Sequence, residues 1–347
     1  MTVASTTVKE GLEGYRRRWM TPMRELIDEV VVEEGLDETP LKEMIDYQWE
    51  SGGKRIRALV PLMVAETMDQ EPRELVGFGA ACELIHNATL VHDDLQDGDR
   101  WRRGEPTVWS VYGEARAINL GDAMLYMAPL CLGKVEASEE LRWRVSQRMS
   151  RYVLEVIAGQ EREFALTVEG ASWSAYEAMV KGKTSGLMAL PVVGAAELCG
   201  ASGALLEVLE EMAAELGLLF QIQDDILDLY GEKGRQKVGG DIREGKVSAL
   251  VVSYLEADPA PREAQRLQAC LAAPRDETPQ DEVEWARQLF REQGALEKSL
   301  DAIEACRQQV AQKGEQLSPE APQLAALMEG LSEVFLKSIS GVNPRSN

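Results

Sequence analysis

The chain has 347 residues, with 59 Asp and Glu against 37 Lys and Arg, for a formal net charge of −22. That balance excludes nucleic acid and an anionic membrane surface as main partners, since both attract cationic faces. The five cysteines (Cys82, Cys131, Cys199, Cys270 and Cys306) are odd in number, widely spread and in no CxxC pair, which predicts reduced thiols in a cytoplasmic protein and no zinc site.

In chain order, Met1 to Tyr15 lack the apolar core of a signal peptide. No run of about 20 apolar residues follows that would span a membrane. Helical periodicity dominates, in stretches rich in Ala, Leu, Glu, Met and Arg broken at short Gly, Pro or Ser/Asp sites. The spacing predicts helices near 8–34, 40–51, 54–69, 72–98, 114–135, 138–168, 173–200 with an interruption near Gly182, and 202–231. Shorter helices are expected near 246–257, 262–272, 279–293, 294–315 and 320–340. Alternating β-patterned stretches are lacking, and no low-complexity linker divides the chain. One all-α domain over 1–347 is therefore expected.

Five segments carry chemistry. Gly52-Gly53-Lys54-Arg55-Ile56-Arg57 opens a helix, where backbone amides and several cations favour a phosphate. Taken alone, it reads equally well as a solvated basic cap. Asp93-Asp94-Leu95-Gln96-Asp97 reads DDxxD, and so does Asp224-Asp225-Ile226-Leu227-Asp228, 131 residues further on. On a helix, carboxylates at i and i+4 lie about 40° apart on one face. A single copy is more often a solvated helix face. Both copies, however, follow apolar runs, where charge is costly unless it is paired or metal-bound. Two facing clusters would suit Mg²⁺, which takes a few carboxylates and leaves its other positions to water and substrate phosphates. The chain's two histidines, His86 and His92, both lie close to the first motif.

Each DDxxD is followed by a loop rich in glycine and cations. Residues 98–113 carry Arg102 and Arg103, and Arg is the preferred fork for phosphate oxygens. Residues 231–246 carry five basic residues, among them Lys237 and Lys246, and would close over a phosphate or form a flexible surface loop. Lys181-Gly182-Lys183-Thr184 ends like a P-loop, but Glu177 stands where that motif needs its first glycine. A helix break that exposes a lysine and backbone carbonyls is the better reading.

GGKRIR, LVHDDLQD with RRG soon after, GKTS, FQIQDDILD and K-x-G-x-D-I-x-x-G-K occur in that order. Together they strongly resemble the all-trans isoprenyl diphosphate synthases (polyprenyl synthetases), over about residues 40–255. The resemblance implies an all-α isoprenoid synthase type I fold with helices around a deep cavity, usually as a homodimer. It implies head-to-tail condensation of isopentenyl diphosphate with an allylic diphosphate (dimethylallyl, geranyl or farnesyl). Carried over by position, Asp93, Asp97 and Asp224 resemble direct ligands of three Mg²⁺ ions, with Asp94, Asp225 and Asp228 in support. Arg102, Lys183 and Lys237, with Lys246 close by, resemble the cations on the allylic diphosphate. Lys54, Arg57, His86 and Arg103 resemble the isopentenyl diphosphate site, and Phe220 the aromatic beside it. Thr184 and Gln221 resemble the residues whose oxygens face the allylic cation. The departing pyrophosphate would take the final proton.

Two positions depart from the family pattern. Ala58 replaces the usual proline after GGKRIR, and Gln236 stands before Lys237 where glycine is frequent. A terpene cyclase, which shares the first motif, would carry an Asn/Ser/Glu-type second motif, and a non-catalytic partner subunit would have lost carboxylates. Neither applies here. For product length, one helical turn rises 5.4 Å, about one isoprene unit. Thr89 and Ala88, four and five positions before Asp93, are small, so the pocket floor is expected deeper. Leu84, Ile85, Met124, Tyr126 and Met127 are the candidates, and a C20–C25 product is expected.

Overall fold

The computed structural model describes residues 3–231, 238–336, 339, 341 and 342. The helices up to the second DDxxD are α1 (Val3–Glu33), α2 (Leu41–Glu50), α3 (Ile56–Thr67), α4 (Val76–Gln96), α5 (Val108–Tyr112), α6 (Glu114–Gly133), α7 (Glu139–Ala165), α8 (Trp173–Val180), α9 (Gly186–Ala189), α10 (Ala195–Leu198) and α11 (Ala204–Tyr230), with α5, α9 and α10 only one turn or so each. They are followed by α12 (Gly240–Arg243), α13 (Ala249–Leu255), α14 (Pro261–Leu271), α15 (Gln280–Glu292), α16 (Ala295–Leu317) and α17 (Pro322–Leu336). The chain is all-α, as expected, and among the described residues no helix is long and apolar enough to cross a membrane.

The differences from the expected elements have local causes. Arg55 lies in the left-handed region (φ 54°), so α3 starts at Ile56 rather than at 54. The 98–113 loop contains a hairpin of two-residue strands, β1 (Trp101–Arg102) and β2 (Glu105–Pro106), and then α5. Such short strands leave no alternation to read in a sequence. The expected break near Gly182 is a π-helical turn over Lys181–Ser185, and a second such turn spans Leu190–Gly194. The second contains Pro191, whose missing N–H and ring bulk disfavour a regular α turn.

The chain gathers into two compact units. The first comprises residues 1–153, 187–211 and 314–330, and the second 154–186, 212–313 and 331–347. In the first, α4 runs through the core, packed on α6, α3 and α1. Apart from Glu83, residues 76–85 are apolar on every side, and Phe78, Leu84 and Ile85 are fully buried with Leu59 and Leu62 of α3 and Leu120 of α6. This packing fixes the axis of the helix that carries the first DDxxD. In the second unit, α8 packs on α13 and α13 on α15, around Tyr176, Tyr254 and Phe290. Ser172 caps α8, its hydroxyl accepting from the amide of Ala175 at 3.2 Å.

Candidate active site

In the first unit, helical geometry persists to the end of the first motif, where the Asp97 amide donates to the Asp93 carbonyl at 2.8 Å. Asp93 and Asp97 are therefore one turn apart on one face, and both are partly exposed. Asp94 differs. It is 3% exposed, and Arg102 Nε donates to its Oδ1 at 2.6 Å, with Arg102 Nη2 4.0 Å from Asp93 Oδ2. Burial pushes the Asp94 pKa up to about 7, with Arg102 opposing the rise and Asp93 and Asp99 adding to it. Behind the motif, Thr107 and Trp109 both donate to the Asp99 carbonyl at 2.8 Å and Tyr47 donates to the Pro106 carbonyl at 2.6 Å, which fixes the hairpin carrying Arg102 and Arg103.

The cations expected for isopentenyl diphosphate also gather in this unit. Arg57 Nη1 lies 3.4 Å from His86 Nε2, and Arg57 Nε donates to the Leu187 carbonyl at 3.3 Å. Arg103 donates to the Gly52 carbonyl. Its guanidinium occupies the space where Gly53, at φ 116°, would carry a side chain: a Cβ there would lie 2.5 Å from Nη1. The second glycine of GGKRIR thus admits an arginine from the hairpin. Lys54 is exposed beside them. Burial, then Arg57 and the other three arginines, hold the His86 imidazole well below its ordinary pKa, and its Nδ1 is buried with no partner. The two histidines diverge, because His92 Nε2 faces α6 instead, 3.4 Å from the Ile118 carbonyl and 3.6 Å from Asp122.

In the second unit, a chain of hydrogen bonds links the helix break to the second motif. Thr184 donates to Gln221 Oε1 at 2.9 Å, and Gln221 Nε2 donates to Asp225 Oδ1 at 2.9 Å. Asp225 Oδ2 accepts from the Tyr176 hydroxyl and from the Ala249 amide, both at 2.7 Å. Burial pushes Asp225 up to about 6, and these three donors oppose the rise. Asp228 is 3% exposed and accepts from the Asp241 amide at 3.0 Å, so it holds the start of α12. Asp224 is partly exposed. Lys183 pairs with Glu163 of α7. The π-helical turn bearing Lys183 lies directly on α7: a Cβ at Gly159 would lie 2.0 Å from the Lys183 nitrogen, so only glycine allows this approach. Phe220 stacks edge-on against Phe335 at 5.3 Å. Lys246 pairs with Glu244 at 2.8 Å, while Lys237 and the Gln236 before it lie outside the described residues.

In both motifs the partly exposed carboxylates (Asp93, Asp97, Asp224) are those expected to bind metal directly, and the buried ones (Asp94, Asp225, Asp228) those expected to support them. Among the described residues, no three His, Cys, Asp or Glu side chains are gathered into a metal site by themselves. The donors still fit Mg²⁺, which needs only one or two carboxylates where substrate phosphates complete its shell. Of the chain-length candidates, Leu84, Ile85, Ala88, Met124 and Met127 are buried, and Thr89 is partly exposed with its hydroxyl donating to the His86 carbonyl at 2.8 Å. Tyr126 is 78% exposed, so it does not floor the single chain's interior. Sequence reasoning missed Tyr176, Phe335 and Glu83. Glu83 left a usable signal, a lone charge inside the apolar run of α4.

The sequence pattern of the polyprenyl synthetase family matches residues 38–290. A short chain isoprenyl diphosphate synthase of Methanocaldococcus jannaschii is 36% identical over 208 residues, which is 59% of this chain and 63% of that protein, so the match spans less than two thirds of that relative. A protein of the same description from Methanothermobacter thermautotrophicus is 31% identical over 278 residues, 79% of this chain and 84% of that protein. Among solved structures, a geranylgeranyl pyrophosphate synthase matches with a TM-score of 0.82 at 28% identity, over 93% of this chain and 98% of that one.

Proposed function

The chain belongs to the polyprenyl synthetase family, and on that premise we propose that it condenses isopentenyl diphosphate head-to-tail with an allylic diphosphate. The substrates would be dimethylallyl, geranyl or farnesyl diphosphate, and the product an all-trans polyprenyl diphosphate of C20–C25. The observation that carries this reading is the matching split in the two DDxxD motifs, in which Asp93, Asp97 and Asp224 are partly exposed while Asp94 and Asp225 are held by Arg102 and by Tyr176, Gln221 and Ala249.

Bound Mg²⁺ would supply positive charge to the leaving diphosphate. Asp93, Asp97 and Asp224 would hold it, kept in place by the buried carboxylates beside them. Arg102, Lys183 and Lys237, with Lys246 close by, would add cations to the leaving oxygens as the C–O bond breaks. For Lys183 this means exchanging Glu163 for the diphosphate. The oxygens of Thr184 and Gln221 would face the allylic cation, and Arg57, His86, Arg103 and Lys54 would orient isopentenyl diphosphate. Released diphosphate would accept the final proton. Leu84 and Ile85, buried one turn or so before small Ala88, would floor the pocket deeper, a reading that supports a product longer than C15.

A homodimer is part of the proposal. Ile118, Tyr126 and Leu130 of α6, and Trp143, Leu154, Ile157 and Phe164 of α7, are large, apolar and exposed in the single chain. Incubating the purified chain with Mg²⁺, isopentenyl diphosphate and farnesyl diphosphate, followed by chromatography and mass spectrometry, tests the activity. C20–C25 prenyl diphosphates that vanish on chelation are expected, and the absence of any condensation would overturn the reading.

A further inference from the structure

A buried polar network in the first unit lies outside the residues assigned above. Arg55 and Glu83 have side chains only 5% and 3% exposed, and Arg55 Nη1 donates to Glu83 Oε1 at 2.7 Å. The other arm of Arg55 donates to the Trp49 carbonyl, and the guanidinium lies 4.6 Å from the Trp49 ring centroid. Asn87 Nδ2 donates to Glu83 Oε1 at 3.1 Å and to the Glu83 carbonyl at 2.8 Å, while Gln48 Nε2 donates to Asn87 Oδ1 at 3.0 Å. The end of α2, the turn before α3 and the middle of α4 are thereby tied together.

Stability is a weak reason for such a network. A buried ion pair is often matched or exceeded by apolar residues of the same volume, because desolvating two charges offsets their attraction. Two features point to position instead. Arg55 holds a left-handed backbone (φ 54°), which costs a non-glycine residue free energy and persists only where its surroundings impose it. Glu83 Oε2 is buried without a hydrogen-bond partner, so half of the carboxylate is not used by the network. What surrounds it is cationic: Glu83 opposes the fall that burial and mutual repulsion impose on the pKa of Arg57 and Arg103. The turn held by Arg55 carries Lys54, leads into Arg57 and receives Arg103 on Gly52.

We propose that Glu83 is a positioning residue for isopentenyl diphosphate. Through Arg55 it fixes the Gly52–Arg55 turn, and its charge offsets the repulsion felt by Arg57 and Arg103, without touching substrate. This builds on the function proposed above, and kinetics resolved by substrate test it. Glu83→Gln keeps an acceptor for Arg55 and Asn87 but removes the charge. It should raise KM for isopentenyl diphosphate by about tenfold or more, with kcat and the allylic KM within about threefold. Arg55→Lys, which keeps the charge but loses the two-armed grip, should do the same. A purely structural role predicts a lower unfolding midpoint with both KM values unchanged, and that result in a folded Glu83→Gln enzyme would overturn the proposal. If Glu83→Gln does not fold, Asn87→Ala, which removes one donor to Glu83, is read the same way. If the wild-type chain condenses nothing, it is the functional reading that fails. If the wild type is active and no variant shows the selective KM change, only the role of Glu83 fails.

Discussion

Tyr176→Phe isolates one hydrogen bond on the second carboxylate cluster. The ring stays, including its edge-on contact with Trp173 at 5.5 Å, and only the hydroxyl that donates to Asp225 is lost. Asp225 has three donors, two on Oδ2 and one on Oδ1, so the variant leaves the Ala249 amide and Gln221 in place. A hydrogen bond to a charged group contributes about 1.5–3 kcal/mol. Fully expressed in the transition state, that would be a factor of about 10 to 150. Two of the three anchors remain, so the lower end is expected: kcat reduced about tenfold at saturating Mg²⁺ and substrates, with both KM values little changed. The path is through Gln221, which Asp225 orients toward Thr184. The assay is steady-state diphosphate release, with circular dichroism confirming the fold. A folded Tyr176→Phe enzyme with kcat within about twofold of wild type would refute the reasoning, since the Asp225 network would then not reach the chemistry.

Three further outcomes are expected. His86 is held below its ordinary pKa by burial and four arginines, so below pH about 6.5 the unfolded chain takes up a proton that the folded one refuses, and stability falls as pH drops. Denaturant melts should show His86→Gln with a slope shallower than wild type by up to about 1.4 kcal/mol per pH unit between about pH 6.5 and 5, and equal slopes would contradict the burial argument. Lys54→Ala and Arg57→Ala should raise KM for isopentenyl diphosphate far more than for the allylic substrate, and Lys183→Ala the reverse; equal effects on both substrates would count against separate sites. Ala88→Phe should shorten the product by one or more isoprene units. If Ala88 only packs against a neighbouring helix, the variant would instead cost about 1–3 kcal/mol of stability with the same product distribution.

Much of the fold is legible in the sequence because helical periodicity is a local signal. The elements around both DDxxD motifs fall close to where the spacing puts them, α4 and α11 within a few residues at either end. The helix break near Gly182 is also readable, from Lys-Gly-Lys inside an apolar helix. What escapes depends on partners distant in sequence. The π-helical turn at Lys181–Ser185 sits against Gly159, and Tyr176 meets Asp225 across 49 positions. Arg55 adopts a left-handed backbone while Glu83, 28 residues away, grips its guanidinium. Spacing rules see neighbours within one element and are silent on such pairs. In the sequence, the division within each acidic motif is implied by resemblance alone. The proposed division is supported by burial, since Asp94, Asp225 and Asp228 are buried, and for Asp225 by protein donors on both of its oxygens.

The central claim is that the partly exposed carboxylates of both motifs carry the chemistry. Asp93→Ala and Asp224→Ala measure it most directly, by steady-state turnover with isopentenyl and allylic diphosphates at saturating Mg²⁺. Each variant should lose at least about a hundredfold in kcat while remaining folded, because each removes a charge that acts as the bond to diphosphate breaks. Near-normal turnover in either variant would contradict the assignment of that motif to the metal.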